Sequence, residues 1–431
     1  MRTDLGRRVV ISGIGVVSPF GVGRERFWQQ VTAGCSSIRA ITEFDVSTLP
    51  CRIAAAVPPV TIGDASSVDG EDRDEFAGRG RRVSGADPRR YSKASLIGVL
   101  AAREAWRDAG LSSGEAGAGV IVGSGAGGID IAEREYAEFF RDGGKRVTPY
   151  AIPASIVGMV SSEISISLRL RGISHVVSTG CTSSTDAIGY GAALIRSGEA
   201  DALLTGGVDA CLTLGMMFGF AKMRVMPTRF NDAPTEASRP FDRDRAGFVL
   251  GEGAWMVVLE REDRARARGA RLYAVVEGYG STCDAYHRVQ MDPGGEEIAA
   301  AMRLALDRAG RPVEEIGYVN FHGTSTVLND AIESRCVRRV LGRHADHVSG
   351  SSIKSMIGHP QGASGAAGVV TAALALSRRF LPPTINQTHP DPACDLDFTP
   401  NQGRVAEPRA ALCNCLGFGS KNSAIVLGAV G

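Results

Sequence analysis

The order of elements along the chain repeats, and that repetition limits what it can fold into. Ser92 to Gly110 (SKASLIGVLAAREAWRDAG) has helical spacing and ends in Ala-Gly, and a strand with a glycine-rich loop, Ala118 to Gly128 (AGVIVGSGAGG), follows it. Glu296 to Gly310 (EEIAAAMRLALDRAG) repeats the helix and its ending, and Ile316 to Thr326 (IGYVNFHGTST) repeats the strand and loop. Cys181 precedes a helix of small residues, Thr182 to Arg196, whose counterpart in plan is Gly358 to Leu376. Each half then closes on an apolar strand, Ala202 to Val208 in one and Ala424 to Leu427 in the other. A signature recurring in fixed order marks an internal duplication. The expected fold is therefore α/β, built of two similar βα halves, residues 1–265 and 266–431, packed on each other. Arg8 to Val17 (RVVISGIGVV) reads as the buried opening strand, and Gly63 to Asp87, dense in Gly, Ser and charge, as an exposed loop or insertion.

Composition narrows the function classes. The chain of 431 residues is 44% hydrophobic, with 48 basic against 47 acidic side chains, a net charge of +1. So balanced a surface gives no reason to expect nucleic-acid or membrane attraction. The charged N-terminal residues and the early Gly13, Gly15, Pro19 and Gly21 argue against a signal peptide or membrane span, and a cytoplasmic location is expected. Nine cysteines, an odd number scattered through the chain, argue against structural disulfides. Cys413 and Cys415 fall on one face of a strand with no partner set for zinc, and read as buried thiols.

Three turns carry residues with chemistry. Cys181, in VVSTGCTSS, lies between a β-branched run and a helix, so its sulfur is expected at a helix N-terminus, where partial positive charge and free N–H groups lower a thiol pKa. His322, in FHGTST, and Lys354 with His359, in IKSMIGH, lie in two further turns after strands. Residues at the carboxyl ends of strands in an α/β layer converge on one side. A catalytic metal is disfavoured because Lys354 would repel the cation, and a Cys-His protease would leave the second His and the Lys unexplained. Thioester chemistry uses all four: the thiolate takes an acyl group, and two imidazole N–H donors stabilise the enolate formed as a second thioester loses carbon dioxide.

These segments, TGCTSS, HGTST followed by Asp330, KSMIGH and GFGSKN, resemble in this order the β-ketoacyl-acyl carrier protein synthases, the elongating ketosynthases of fatty-acid and polyketide assembly. The resemblance runs nearly end to end. It implies a thiolase-type fold, two duplicated halves in five layers (αβαβα), and decarboxylative Claisen condensation of an acyl group on Cys181 with malonyl-acyl carrier protein. It further implies His322 and His359 as the decarboxylating pair, Lys354 as their electrostatic tuner, and Asp330 and Glu333 as supports. The backbone N–H groups of Cys181 and Phe418 would form the oxyanion hole. Thr324 and Thr326 would meet the phosphopantetheine arm, Ala126 and Phe220 the acyl chain, and Arg224 the acidic carrier helix. No metal or organic cofactor is implied beyond the carrier's phosphopantetheine. The implied partners are acyl carrier protein and a second ketosynthase subunit, as a homodimer or a heterodimer with a chain-length-factor-like chain.

Two departures bear on substrate. The elongating fatty-acid enzymes often carry a bulky residue in the glycine-rich loop where this chain has Ala126, and an apolar pair after the second His where it has Pro360 and Gln361. With the Gly63 to Asp87 insertion and the STGCTSS wording, they favour a polyketide ketosynthase α-subunit over a housekeeping fatty-acid enzyme. Other classes fit less well. Gly123 to Gly128 fits G-x-G-x-x-G, but Asp142 does not end a second strand as a dinucleotide-binding acid would. Non-decarboxylating thiolases usually use a second cysteine where this chain has histidines. A non-catalytic, tunnel-lining subunit would have no need of Cys181.

Overall fold

The computed structural model describes residues 8–61 and 91–431; the Gly63 to Asp87 expectation lies outside them. One mixed sheet runs through the molecule. Its ten main strands are β1 (Val9–Ser18), β2 (Ala118–Gly123), β3 (Ser174–Val177), β4 (Ala202–Asp209), β5 (Gly253–Arg261), β6 (Ala274–Cys283), β7 (Ile316–Asn320), β8 (Ser349–Ser351), β9 (Ala410–Gly417) and β10 (Lys421–Gly428). Their spatial order is β8-β7-β9-β10-β6-β1-β5-β4-β2-β3. From either edge inward the sequence of directions is the same: two parallel pairings, then two antiparallel ones. The halves meet where β1 pairs antiparallel with β6 over Val9 to Ile11. The duplication read from the sequence is thus present as a repeated strand order.

One equivalence differs from expectation. Position in the sheet pairs β4 with β9, and β5 with β10, so Ala202 to Val208 corresponds to Ala410 to Gly417 rather than to Ala424 to Leu427. The reason is the connection. A tight turn at Phe418 to Ser420 joins β9 to β10, whereas residues 210–252 intervene between β4 and β5 and obscure the matching hairpin.

Strand periodicity sorts side chains into layers. In the first half Ile121, Leu203, Trp255, Val257 and Leu259 point into a central core, while their neighbours Val120, Leu204, Met256 and Val258 point outward. In the second half Tyr318, Ala411, Ile425 and Leu427 share that central core, and Val319, Leu412 and Val426 face away. The central layer holds α2 (Ser183–Ser197) and α4 (Ser364–Arg378), flanked by α1 (Lys93–Asp108) outside the first half and α3 (Glu296–Ala309) outside the second. Helix, half-sheet, helix, half-sheet, helix gives the five layers. From Ser364 to Leu376 every residue of α4 is buried, which its Ala- and Gly-rich composition permits between the two halves of the sheet. Among the described residues no helix is long and apolar enough to cross a membrane.

Close strand–helix approach is duplicated too. A Cβ at Gly15 would strike the Ala101 carbonyl of α1, and one at Gly280 the Ala301 carbonyl of α3. Gly15→Val is therefore expected to cost about 1–3 kcal/mol or more, the scale of overpacking a filled core. Urea unfolding checks it, and an unchanged midpoint would contradict the packing described.

Candidate active site

The Cys181 turn is locked before any partner arrives. Gly180, at φ 71°, turns the chain out of β3, and Gly180–Thr182 forms a 3₁₀ turn leading into α2. Buried Asp186 accepts from the hydroxyls of Thr179 (2.5 Å), Thr182 (3.0 Å) and Tyr279 (2.8 Å), and Ser183 Oγ donates to the Gly180 carbonyl at 2.6 Å. Cys181 is held with its sulfur 3.2 Å from His359 Nε2. His359 follows β8 and is clamped by its N–H to the Val249 carbonyl (2.8 Å), with the Phe248 ring edge-on to the imidazole at 5.3 Å. His322 follows β7, and its ring lies edge-to-face on His359, centroids 5.3 Å apart. Strand ends from both halves therefore deliver one thiol and two imidazoles to one place.

Behind the rings lies a buried charged layer. Glu333, on the helix Val327–Leu341, accepts from the N–H groups of His322 (2.7 Å) and Gly323 (2.8 Å), which fixes the first histidine's backbone. Burial nonetheless pushes its carboxyl up to about 7. Asp330 accepts from Phe241 N–H (2.9 Å) and pairs with Arg245 at 3.7 Å; burial raises its pKa as well. Burial lowers that of Lys354, opposed by the Cys415, Glu333 and Cys181 sites around it. Burial, with Lys354 adding to it, holds both histidines well below the usual imidazole value, so both rings are neutral at pH 7.

The thiol departs from expectation. Burial raises Cys181 to about 11, outweighing the Phe418 N–H, Lys354 and its own N–H, which all pull it down. Desolvation here exceeds the helix-terminus effect, since a thiolate loses more in leaving water than partial charges return. The resting group is a neutral thiol beside a neutral imidazole. Alkylation of Cys181 by iodoacetamide is expected to keep rising through pH 9, about tenfold per unit, because the thiolate is the reactive form. A plateau below pH 8 would contradict this.

Cys181, His322, His359, Thr324, Thr326 and Phe418 line one cavity of about 270 Å³, whose remaining wall includes Met223, Val225, Met291 and Leu328. The Thr324 and Thr326 hydroxyls lie 3.0 Å apart. Arg224 is exposed beside this wall, at φ 58°. Ala126 and Phe220 do not line the cavity; both pack in an apolar cluster with Phe248 and Phe418, Phe220 edge-on to Phe248 at 5.3 Å.

Two residues escaped the sequence reading. Asp209, at the end of β4, accepts from Ser124 Oγ, the N–H groups of Gly125 and Ala126, and Gly362 N–H at 2.6 Å. One carboxylate thus ties the glycine-rich loop to the turn after His359. Its only signal was an acid ending an apolar strand. Cys415 lies under Cys181, its sulfur 3.0 Å from the Cys181 carbonyl. All nine cysteines are free.

The beta-ketoacyl synthase N-terminal domain matches residues 6–265, and the C-terminal domain residues 273–388. The chain is 39% identical to 3-oxoacyl-[acyl-carrier-protein] synthase 2 of Coxiella burnetii, over 98% of this chain and 99% of that protein. It is also 39% identical to the tetracenomycin polyketide synthase ketoacyl synthase alpha subunit of Streptomyces glaucescens, over 98% and 97%. Among solved structures, the ishigamide ketosynthase/chain length factor superposes with a TM-score of 0.88 at 34% identity, covering 99% of this chain and 100% of that one. A type II polyketide acyl-carrier protein complex with its hexaketide-bound ketosynthase gives 0.84 at 30%, covering 98% and 100%. With its two halves, its shared cavity and matches of this extent, the chain belongs to the β-ketoacyl synthase family.

Proposed function

We propose that the protein condenses an acyl group held on Cys181 with malonyl-acyl carrier protein, releasing carbon dioxide and lengthening the chain by two carbons. The observation that carries this reading is the 3.2 Å approach of Cys181 Sγ to His359 Nε2 in a cavity shared with His322. In the first stage Cys181 attacks the incoming thioester while His359 takes the thiol proton and passes it to the departing carrier thiolate. The imidazole holds that proton only in transit, which suits a ring beside Lys354. The N–H groups of Cys181 and Phe418, which both act to lower the thiol pKa, stabilise the tetrahedral oxyanion. In the second stage malonyl decarboxylates under the influence of His322 and His359, and the enolate carbon attacks the acyl-enzyme. Cys181 leaves as thiolate and takes a proton from solvent, which balances the negative charge left when the carboxylate departed as carbon dioxide. Glu333 and Asp330 hold the His322 turn, and burial with Lys354 keeps both rings neutral. Thr324 and Thr326 meet the phosphopantetheine arm.

A polyketide chain is the favoured product class. Ala126, in the apolar cluster with Phe220 behind the cavity, takes less space than a bulky side chain would, which suits a bulky acyl end. Arg224 would face the carrier. A second ketosynthase-type chain is the favoured subunit partner: β3 ends the sheet among the described residues, and Tyr136, Phe140, Ile152 and Ile166 expose apolar surface in the same half. The experiment is product mass after incubation with acyl- and malonyl-carrier, with and without a second ketosynthase chain. A β-ketoacyl product two carbons longer is expected; repeated extension only with the second chain supports the polyketide assignment. Absence of any extended product with either would contradict the function.

A further inference from the structure

We infer that Cys415 is a positioning residue that sets the proton on His322, an assignment that rests on the decarboxylating role given to that ring. Cys415 lies on the face of β9 that looks into the central layer, between the nucleophile and the first histidine. Its sulfur is 3.0 Å from the Cys181 carbonyl oxygen and 3.7 Å from His322 Nδ1. Two buried hydroxyls with no other hydrogen-bond partner, Thr185 from α2 and Ser364 from α4, face the same sulfur and act to lower its pKa. Burial still keeps it a thiol, at about 12.

A thiol has one proton to give. A carbonyl oxygen can only accept, so that proton goes to Cys181. The sulfur then has only lone pairs to offer His322, so the hydrogen of the Cys415–His322 contact must come from Nδ1. A neutral imidazole with Nδ1–H has an unprotonated Nε2. His322 is therefore an acceptor at Nε2, able to hold a water or a substrate N–H, and is not the N–H donor expected from its sequence motif.

Two-bond proton–nitrogen correlation NMR on protein labelled with ¹⁵N-histidine reads the tautomer without any substrate, with His322→Ala identifying the resonance. The Nδ1–H form is expected in the native protein and in Cys415→Ser, whose hydroxyl has the same single proton. Cys415→Val is expected to shift the ring toward Nε2–H. Malonyl decarboxylation by that variant should fall about tenfold in kcat at unchanged KM, with Cys415→Ser restoring it. An Nε2–H tautomer in the native protein overturns the assignment, and so does an unaltered tautomer in Cys415→Val. Should the valine variant not fold, the native spectrum alone decides. Because the spectrum needs no catalysis, failure of the condensing function would show separately, as loss of the acyl adduct on Cys181.

Discussion

Cys181→Ala is expected to abolish condensation. The account routes every acyl group through one sulfur, and no other side chain at the cavity stands against an imidazole as Cys181 does against His359 at 3.2 Å. Loss of a covalent nucleophile in a hydrolase costs about 10⁶ in turnover, and a loss on that scale is expected here. The fold should survive, because the Asp186 hydroxyl network and the Ser183–Gly180 bond hold the turn without the thiol. Product formation measured by mass spectrometry, alongside thermal unfolding, checks this. Turnover within tenfold of the native enzyme would require a different nucleophile.

The second large effect belongs to the imidazoles. His322→Ala and His359→Ala are each expected to slow carbon dioxide release from malonyl-carrier by about 100-fold or more, the scale of losing a transition-state hydrogen bond or a positioned acid–base group. They should differ in the first stage. Only His359 meets the Cys181 sulfur, so only its removal should also slow acylation. Unchanged carbon dioxide release in both variants would contradict the pair's role. The neutrality of both rings adds a pH signature. Their pKa values lie well below 6.5, so activity should not fall as pH drops from 8 to 6.5 through histidine protonation.

Much of this was legible from the chain alone, for physical reasons. Helix and strand periodicity, read twice over, disclosed the duplication, and chemistry-bearing residues after strands disclosed three turns that converge. Turn residues can be located because their types are rare and their glycine surroundings distinctive. Other features depend on the environment that distant segments create. The height of the Cys181 pKa is set by burial, which no local pattern around Gly180 records. Asp209 looks like any acid at a strand end, yet it receives N–H groups from residues about 80 and 150 positions away in sequence. Cys415 read as a filler thiol because its neighbours are the Cys181 carbonyl and His322 Nδ1, both brought by other elements. Ala126 and Phe220, expected at the acyl chain, pack in the apolar cluster behind the cavity wall, a placement that depends on Phe248 and Phe418 brought from distant segments.

The most direct measurement is the site of the acyl adduct. After brief incubation with acyl-carrier protein, the enzyme is digested and the mass increment mapped by peptide sequencing. The increment is predicted on Cys181 and absent from Cys181→Ala. An increment on Cys415, on Cys211 or on a hydroxyl, persisting in the alanine variant, would contradict the claim that the thiol facing His359 carries the growing chain.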